Sequence, residues 1–250
     1  MPAVRALRPD PAAGRPVPEM AMVLAAGLGT RMRPLTADRP KPLVEVAGRA
    51  LIDHAFDRLR AAGIARAVVN VHYLADRLEA HLAGVGGIGI AVSDERDVLL
   101  ETGGGLVHAA PLLGEAPFLV VNSDNLWIDG PVDAIRLLAA GWDDARMDAL
   151  LLLVPLARAA CHGGRGDFHM DGTGRIARRR AKVAPFVYTG IQIVSPRLLA
   201  DPPAGAFSTN ILWDRAIAAG RCFGAVHQGL WFDVGTPAAI PVVEAALAEG

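Results

Sequence analysis

The stretch Val23-Leu24-Ala25-Ala26-Gly27-Leu28-Gly29-Thr30-Arg31-Met32-Arg33-Pro34-Leu35-Thr36, followed closely by Pro40-Lys41-Pro42-Leu43, decides how this chain is read. Met22 to Ala26 is a continuous apolar run, as long as a buried strand. It enters Gly27 and Gly29, which let the backbone bend and approach a ligand closely. Free backbone N–H groups in such a loop form a concave anion site. Arg31 then offers a rigid, permanently charged fork for phosphate oxygens. Lys41 adds a point charge on a segment stiffened by two prolines. A strand, a glycine loop and two cations predict a site for a nucleoside triphosphate tail. Two familiar phosphate loops do not fit. The dinucleotide fingerprint needs a third glycine where Met32 stands, and the Walker loop needs a Gly-Lys-Ser/Thr that is absent.

Outward from this loop, strands and helices alternate. Leu51, Ile52, Ala55, Phe56 and Leu59 recur at helical spacing within residues 50–62, and Gly63 ends the run. Strands are expected at 67–71, 88–92, 118–121 and 150–154. Helices are expected at 74–82, 105–113 and 131–140, the last with Pro131 in its first turn. Strands separated by helices imply parallel units with right-handed crossovers in a doubly wound α/β sheet. The rhythm changes after Pro155. A hairpin is expected around Asp171-Gly172, then a strand at 186–194, a helix at 211–219, a strand at 223–226 and a helix at 237–248. Ser208, Thr209 and Asn210 are candidate N-caps for the helix at 211–219. This second part is expected to form a small β-rich lid, mainly within 156–230.

Composition sets the bounds. With 250 residues and 52% hydrophobic content, the chain can build a substantial core. A net charge of −1 gives no global field favouring nucleic acid or an anionic membrane. No apolar run is long enough for a membrane span. Cys161 and Cys222 make neither a disulfide framework nor a zinc set, and a cytoplasmic enzyme is expected. Residues 1–19 alternate proline with alanine and arginine without an apolar h-region, and are expected to be a disordered arm before a single domain at 20–250.

Two carboxylates stand out. Asp124 follows the apolar strand Phe118-Leu119-Val120-Val121, at the carboxyl end where open α/β sheets bind ligands. Asp233 ends the apolar segment Trp231-Phe232. Alone, each reads as a turn former or helix cap. Beside a phosphate loop, the pair could hold one Mg²⁺, with phosphate oxygens and waters completing the octahedron. Glu101-Thr102-Gly103-Gly104-Gly105 is a second glycine segment, open to two readings: backbone contacts with a planar base, or a flexible helix entry. Gly164-Arg165-Gly166-Asp167-Phe168 suits a bend and is open to two readings: a turn with a structural aspartate, or one whose carboxylate accepts hydrogen bonds from a sugar. The basic run Arg178, Arg179, Arg180 and Lys182 is open to two readings: a solvated strand edge, or a patch that steers a doubly charged sugar phosphate inward.

The pattern LAAGLGTRMRPLT…KPL resembles the signature of the nucleotidyltransferases that make nucleotide sugars. The ETGGG and GRGDF segments are similar to those of uridylyltransferases acting on N-acetylmuramate 1-phosphate. The resemblance covers residues 20–248 and implies a mostly parallel, Rossmann-like sheet with a sugar-binding lid. It implies that a sugar 1-phosphate attacks the α-phosphorus of a nucleoside triphosphate, with Mg²⁺ as cofactor. Asp124 and Asp233 would hold the metal, and Arg31 and Lys41 would complete the catalytic set. Ala26, Gly27, Gly29, Thr30, Arg31, Lys41, Thr102, Gly103 and Gly104 would bind the nucleotide; Asn122, Asp167, Tyr188 and Gly190 would line the sugar pocket. Ser123 replaces the glycine usual before the metal aspartate. A thymidylyl- or guanylyltransferase of the same fold, and a non-catalytic nucleotide-sugar-binding protein, remain alternatives. Partners are expected to be these small molecules, and oligomeric state is not legible.

Overall fold

The computed structural model describes residues 16–249. Most of the expected arm therefore lies outside the described residues; within them, Val17 packs against the core. In chain order the strands and helices are β1 (Met20–Leu24), β2 (Glu45–Val46), β3 (Arg49–Ala50), α1 (Leu51–Ala62), β4 (Arg66–Val71), α2 (Ala75–Leu82), β5 (Gly89–Asp94) and α3 (Glu101–Leu113). There follow β6 (Phe118–Asn122), β7 (Asn125–Ile128), α4 (Ala134–Gly141), β8 (Ala149–Pro155), β9 (Ala159–Ala160), β10 (Phe168–Met170) and β11 (Ile176–Arg178). The last are β12 (Phe186–Val194), α5 (Asn210–Ala218), β13 (Cys222–Val226), β14 (Leu230–Asp233) and α6 (Ala239–Glu249).

The central nine-stranded sheet runs β11-β10-β12-β6-β1-β4-β5, with β8 pairing β12 and β13. β6, β1, β4 and β5 are parallel, as the alternation of elements predicts. β12 enters antiparallel between β6 and β8, and a bulge between Tyr188 and Gln192 lets it serve both neighbours. The expected hairpin forms as β10 and β11, which extend this same sheet through Phe168 opposite Phe186.

Alternate residues of β1 explain the layers. Ala21 and Val23 face the cluster that takes in α1, α2 and α4, while Met22 faces the cluster of α3 and α5. A third cluster joins Met32, Leu51, Leu126, Phe232, Val234 and Val243, so that α6 and the loop after β1 cover a small sheet of order β7-β14-β9. Among the described residues no helix is long and apolar enough to cross a membrane.

Several bounds differ from the sequence reading for local reasons. β1 ends at Leu24, short of the expected Ala26, because the Ala25 N–H is taken by Asn70 Oδ1 at 2.7 Å. α4 begins at Ala134, leaving Pro131 outside the helix, because Asp133 caps it by accepting from Arg136 N at 2.8 Å. α3 begins at Glu101, so Gly103, Gly104 and Gly105 lie within a helix and not in a loop.

Candidate active site

The pairing of β7 with β14 brings the two carboxylates together. Asp233 lies opposite Asn125, and Val234 N donates to Asp124 O at 3.1 Å. Lys41, only 9% exposed, places Nζ 2.6 Å from Asp124 Oδ2, and Asn125 Nδ2 donates to Asp124 Oδ1 at 3.1 Å. Burial pushes the Asp233 carboxyl up from its ordinary value, and the charge of Asp124 pushes it further; Lys41, Arg31 and His162 oppose the rise. A buried carboxylate whose proton affinity is raised by a second carboxylate beside it belongs to a donor set that a dication would relieve. Among the described residues no group of three or more His, Cys, Asp or Glu is arranged to hold a metal. A cation here would draw its remaining oxygens from substrate and water, which suits Mg²⁺.

The glycine loop is shaped around these charges. Gly29 has φ +62, and a Cβ there would meet Lys41 Cβ at 3.0 Å and Thr36 Cγ2 at 3.1 Å. Glycine thus lets the loop close on Lys41, and Thr36 Oγ1 donates to Gly29 O at 2.8 Å to hold it. Thr30 and Arg31 are exposed on a single 3-10 turn. A Cβ on Gly235 would lie 3.1 Å from an Arg31 terminal nitrogen and 2.9 Å from Asp233 Oδ1, so the guanidinium stands beside the second carboxylate.

Two neighbouring cavities lie on this side of the sheet, the first of them lined by Asp124. The first, about 390 Å³, is lined in part by Ala25, Ala26, Gly27, Lys41 and Asp124, and in part by Asn70, Leu99, Glu101 and Thr102. The second, about 350 Å³, is lined by Asp167, Phe168, Arg178, Tyr188, Thr209 and Trp213 among others. Leu24, Thr102, Asn122 and Ser208 line both, so the two chambers share a wall. In the second chamber, Asp167 Oδ2 accepts from Tyr188 N at 2.9 Å, which fixes that carboxylate. Tyr188 stacks edge-on against Trp213 with ring centroids 4.7 Å apart, and burial holds its phenol well above the ordinary range. Thr209 Oγ1 is buried with no hydrogen-bond partner among the described residues, an acceptor and donor left for a ligand.

Seven of the sequence-predicted residues line neither chamber: Gly29, Thr30, Arg31 and Asp233 belong to the loop and the second carboxylate described above, and Gly103, Gly104 and Gly190 are packed elsewhere. Gly103 N and Gly104 N both donate to Phe207 O, at 2.8 and 3.1 Å, and a Cβ on Gly103 would overlap the Phe207 ring. Their amides are thus committed to the segment before α5 and not free for a base. Gly190, at φ +83, does not line the second chamber. A Cβ there would come within 2.5 Å of Asn125 Nδ2 and 3.0 Å of Asn122, so glycine makes room for the residues that flank Asp124.

Other site residues were missed or misplaced in the sequence reading. Asn70 was read only as part of a strand. Its Oδ1 holds Ala25 N, and its Nδ2 donates to the buried Glu95 at 2.7 Å. Arg178 was read as part of a solvated edge or a steering patch. Its guanidinium stacks on Phe168 and Trp213, pairs with Asp214 at 2.6 Å and borders the second chamber. His162, which carries no motif in the sequence, lies with Nδ1 3.9 Å from Asp233 Oδ2. No local pattern marks these residues, because their partners are remote in sequence.

Residues 20–164 match the nucleotidyl transferase family. The chain belongs to that family. This nucleotidyl transferase is 51% identical to the N-acetylmuramate alpha-1-phosphate uridylyltransferase of Caulobacter vibrioides, over 93% of this chain and 98% of the relative. It is 37% identical to the protein of the same name from Neisseria meningitidis serogroup B, over 86% and 93% of the two chains. Among solved structures, the fold of the nucleotidyl transferase matches the inositol-1-phosphate CTP transferase from T. maritima with TM-score 0.76 at 19% identity, covering 92% of this chain and 95% of that one. It also matches UDP-glucose pyrophosphorylase complexed with UDP-glucose, TM-score 0.73 at 13% identity, covering 92% and 98%.

Proposed function

We propose that this nucleotidyl transferase moves a uridylyl group from UTP to N-acetylmuramate 1-phosphate. The observation that carries the reading is the Asp124–Asp233–Lys41 cluster, with Lys41 and Asp124 lining a first chamber that shares a wall with a second, giving room for two ligands side by side. The choice of base and sugar is supported by the names of the two bacterial relatives. A phosphate oxygen of the sugar attacks the α-phosphorus of UTP, the bond from that phosphorus to the bridging oxygen breaks, and pyrophosphate leaves. The nucleophile is ionised at neutral pH, so no general base is needed.

Catalysis then comes from positioning and charge. Lys41 neutralises the reacting phosphates, and Arg31 stabilises departing pyrophosphate. Ala26 and Gly27 let the triphosphate approach the backbone. Asn122 and Asp167 orient the sugar, and Tyr188 and Thr209 complete its chamber. Asp124 and Asp233 would hold Mg²⁺, which when bound supplies charge neutralisation at both phosphates. A user of UTP would work in the cytoplasm.

The test is pyrophosphate release from UTP, dTTP, GTP and CTP, each with N-acetylmuramate 1-phosphate and other sugar 1-phosphates. UTP with the muramate is expected to be preferred. Asp124→Asn is expected to lower kcat by about a hundredfold or more. Near-normal kcat of that variant at saturating Mg²⁺ would remove Asp124 from the reaction.

A further inference from the structure

We propose that Glu101 selects the nucleobase, by accepting a hydrogen bond from the ring N–H of uracil and repelling bases that present a ring lone pair at that position. The inference rests on the first chamber being the donor nucleotide's site, as proposed above. Glu101 has φ +58, the left-handed region that residues with a side chain avoid. Five described non-glycine residues have positive φ, and Glu101 is the one that lines either chamber. Its conformation is imposed from both sides. Leu100 N donates to Glu95 Oε2 and Leu100 O accepts from Phe207 N, while Gly103 and Gly104 donate to Phe207 O. Strain held in place by its surroundings is found where a ligand needs a group presented.

The chamber's other polar side chains narrow the assignment. Lys41 and Asp124, with the latter's chain neighbours Asn122 and Ser123, mark the charged part, where phosphates belong; away from it stand Asn70, Leu99, Glu101, Thr102 and Ser208, the last also lining the second chamber. Both ends of the Asn70 amide are committed, to Ala25 N and Glu95. Thr102 Oγ1 accepts from Thr209 N at 2.9 Å, which leaves its proton to donate. The Glu101 carboxylate is engaged with no other described residue, and a carboxylate only accepts. An acceptor beside a hydroxyl donor complements the N3–H of uracil and its adjacent carbonyl. Cytosine and adenine offer a lone pair at the corresponding ring nitrogen, so two acceptors would face each other and disfavour both. Guanine offers an N–H but has a second ring.

The experiment compares kcat/KM for UTP and CTP in wild type, Glu101→Gln and Glu101→Gly. Glutamine keeps the size and can turn its N–H₂ toward a ring lone pair. The UTP-to-CTP ratio is expected to fall about tenfold or more, mostly through KM for UTP, with kcat little changed. Glycine relieves the backbone, so the Tm of Glu101→Gly is expected to rise while its UTP-to-CTP ratio falls. A merely structural role would not separate stability from selection in this way. A wild type selective for UTP whose two variants keep the same ratio overturns the role of Glu101. A wild type with no preference for UTP over CTP overturns the proposed function, and the role of Glu101 with it.

Discussion

Asp233 is a residue whose charge the folded chain resists. Burial comes first and the neighbouring Asp124 second, and together they raise its pKa above the ordinary carboxylate value. The folded state therefore binds a proton more tightly than the unfolded one. By linkage, stability from this group is greatest at low pH and is lost as pH rises from the unfolded pKa through the raised folded one. Asp233→Asn removes that loss. Its Tm is expected to exceed that of wild type at neutral pH, with the gap closing as pH falls through the raised folded pKa toward the ordinary carboxylate value, below which Asp233 is protonated in both folded and unfolded states. Thermal melts across this range in metal-free buffer check the sign. The same variant is expected to lose about a hundredfold or more in kcat, so stability and activity move in opposite directions. The burial of Asp233 could not be read from Trp231-Phe232-Asp233; its pairing with Asp124 was legible only from the phosphate loop and the family resemblance, not from the segment itself.

Among the elements, the β7–β14 ladder does the work of assembly. Phe232 is 4% exposed within the third core cluster, between Leu126 and Val234. Phe232→Ala is expected to cost about 3–5 kcal/mol by denaturant unfolding. α3 offers a sharper test. A Cβ on Gly105 would meet Glu95 Oε1 at 2.8 Å and Asn70 Nδ2 at 3.0 Å, both on buried residues that hold Ala25 N in place. Gly105→Ala is expected to lose about 1–3 kcal/mol of stability and to raise KM for UTP, measured by urea unfolding and initial rates. These two elements also show where sequence reading stops. α1 was legible because six buried residues recur at helical spacing and Gly63, at φ +92, ends the helix. The start of α3 was not, since glycine disfavours helix and only contacts with Phe207, Asn70 and Glu95 require it there. β7 and β14 are four-residue strands whose pairing, not their own pattern, defines them.

For the molecule as a whole, the site is a product of topology. Lys41 and Asp124 are 83 positions apart, and Thr102 and Thr209 are 107 apart, yet each pair is in hydrogen-bond contact. Parallel strands aim their carboxyl ends at one edge, and the antiparallel β12 brings the second chamber to the same edge. The parallel half was legible from alternating elements; the insertion of β12 and the continuity of β10 and β11 with the sheet depend on long-range pairing. Because the proposed ligands would bridge segments from both halves, UTP with Mg²⁺ at a hundred times the dissociation constant is expected to stabilise the fold by about 2.7 kcal/mol, seen as a rise in Tm. The Lys41–Asp124 contact gives that coupling a direction. Ammonium and carboxylate already satisfy each other, so a visitor carrying charge of one sign gains one partner and orphans the other. A bare triphosphate strands Asp124, and a bare dication strands Lys41. A guest bringing both signs would leave neither host group alone, so on the proposed reading the donor would be better received as a neutralised salt than as either half.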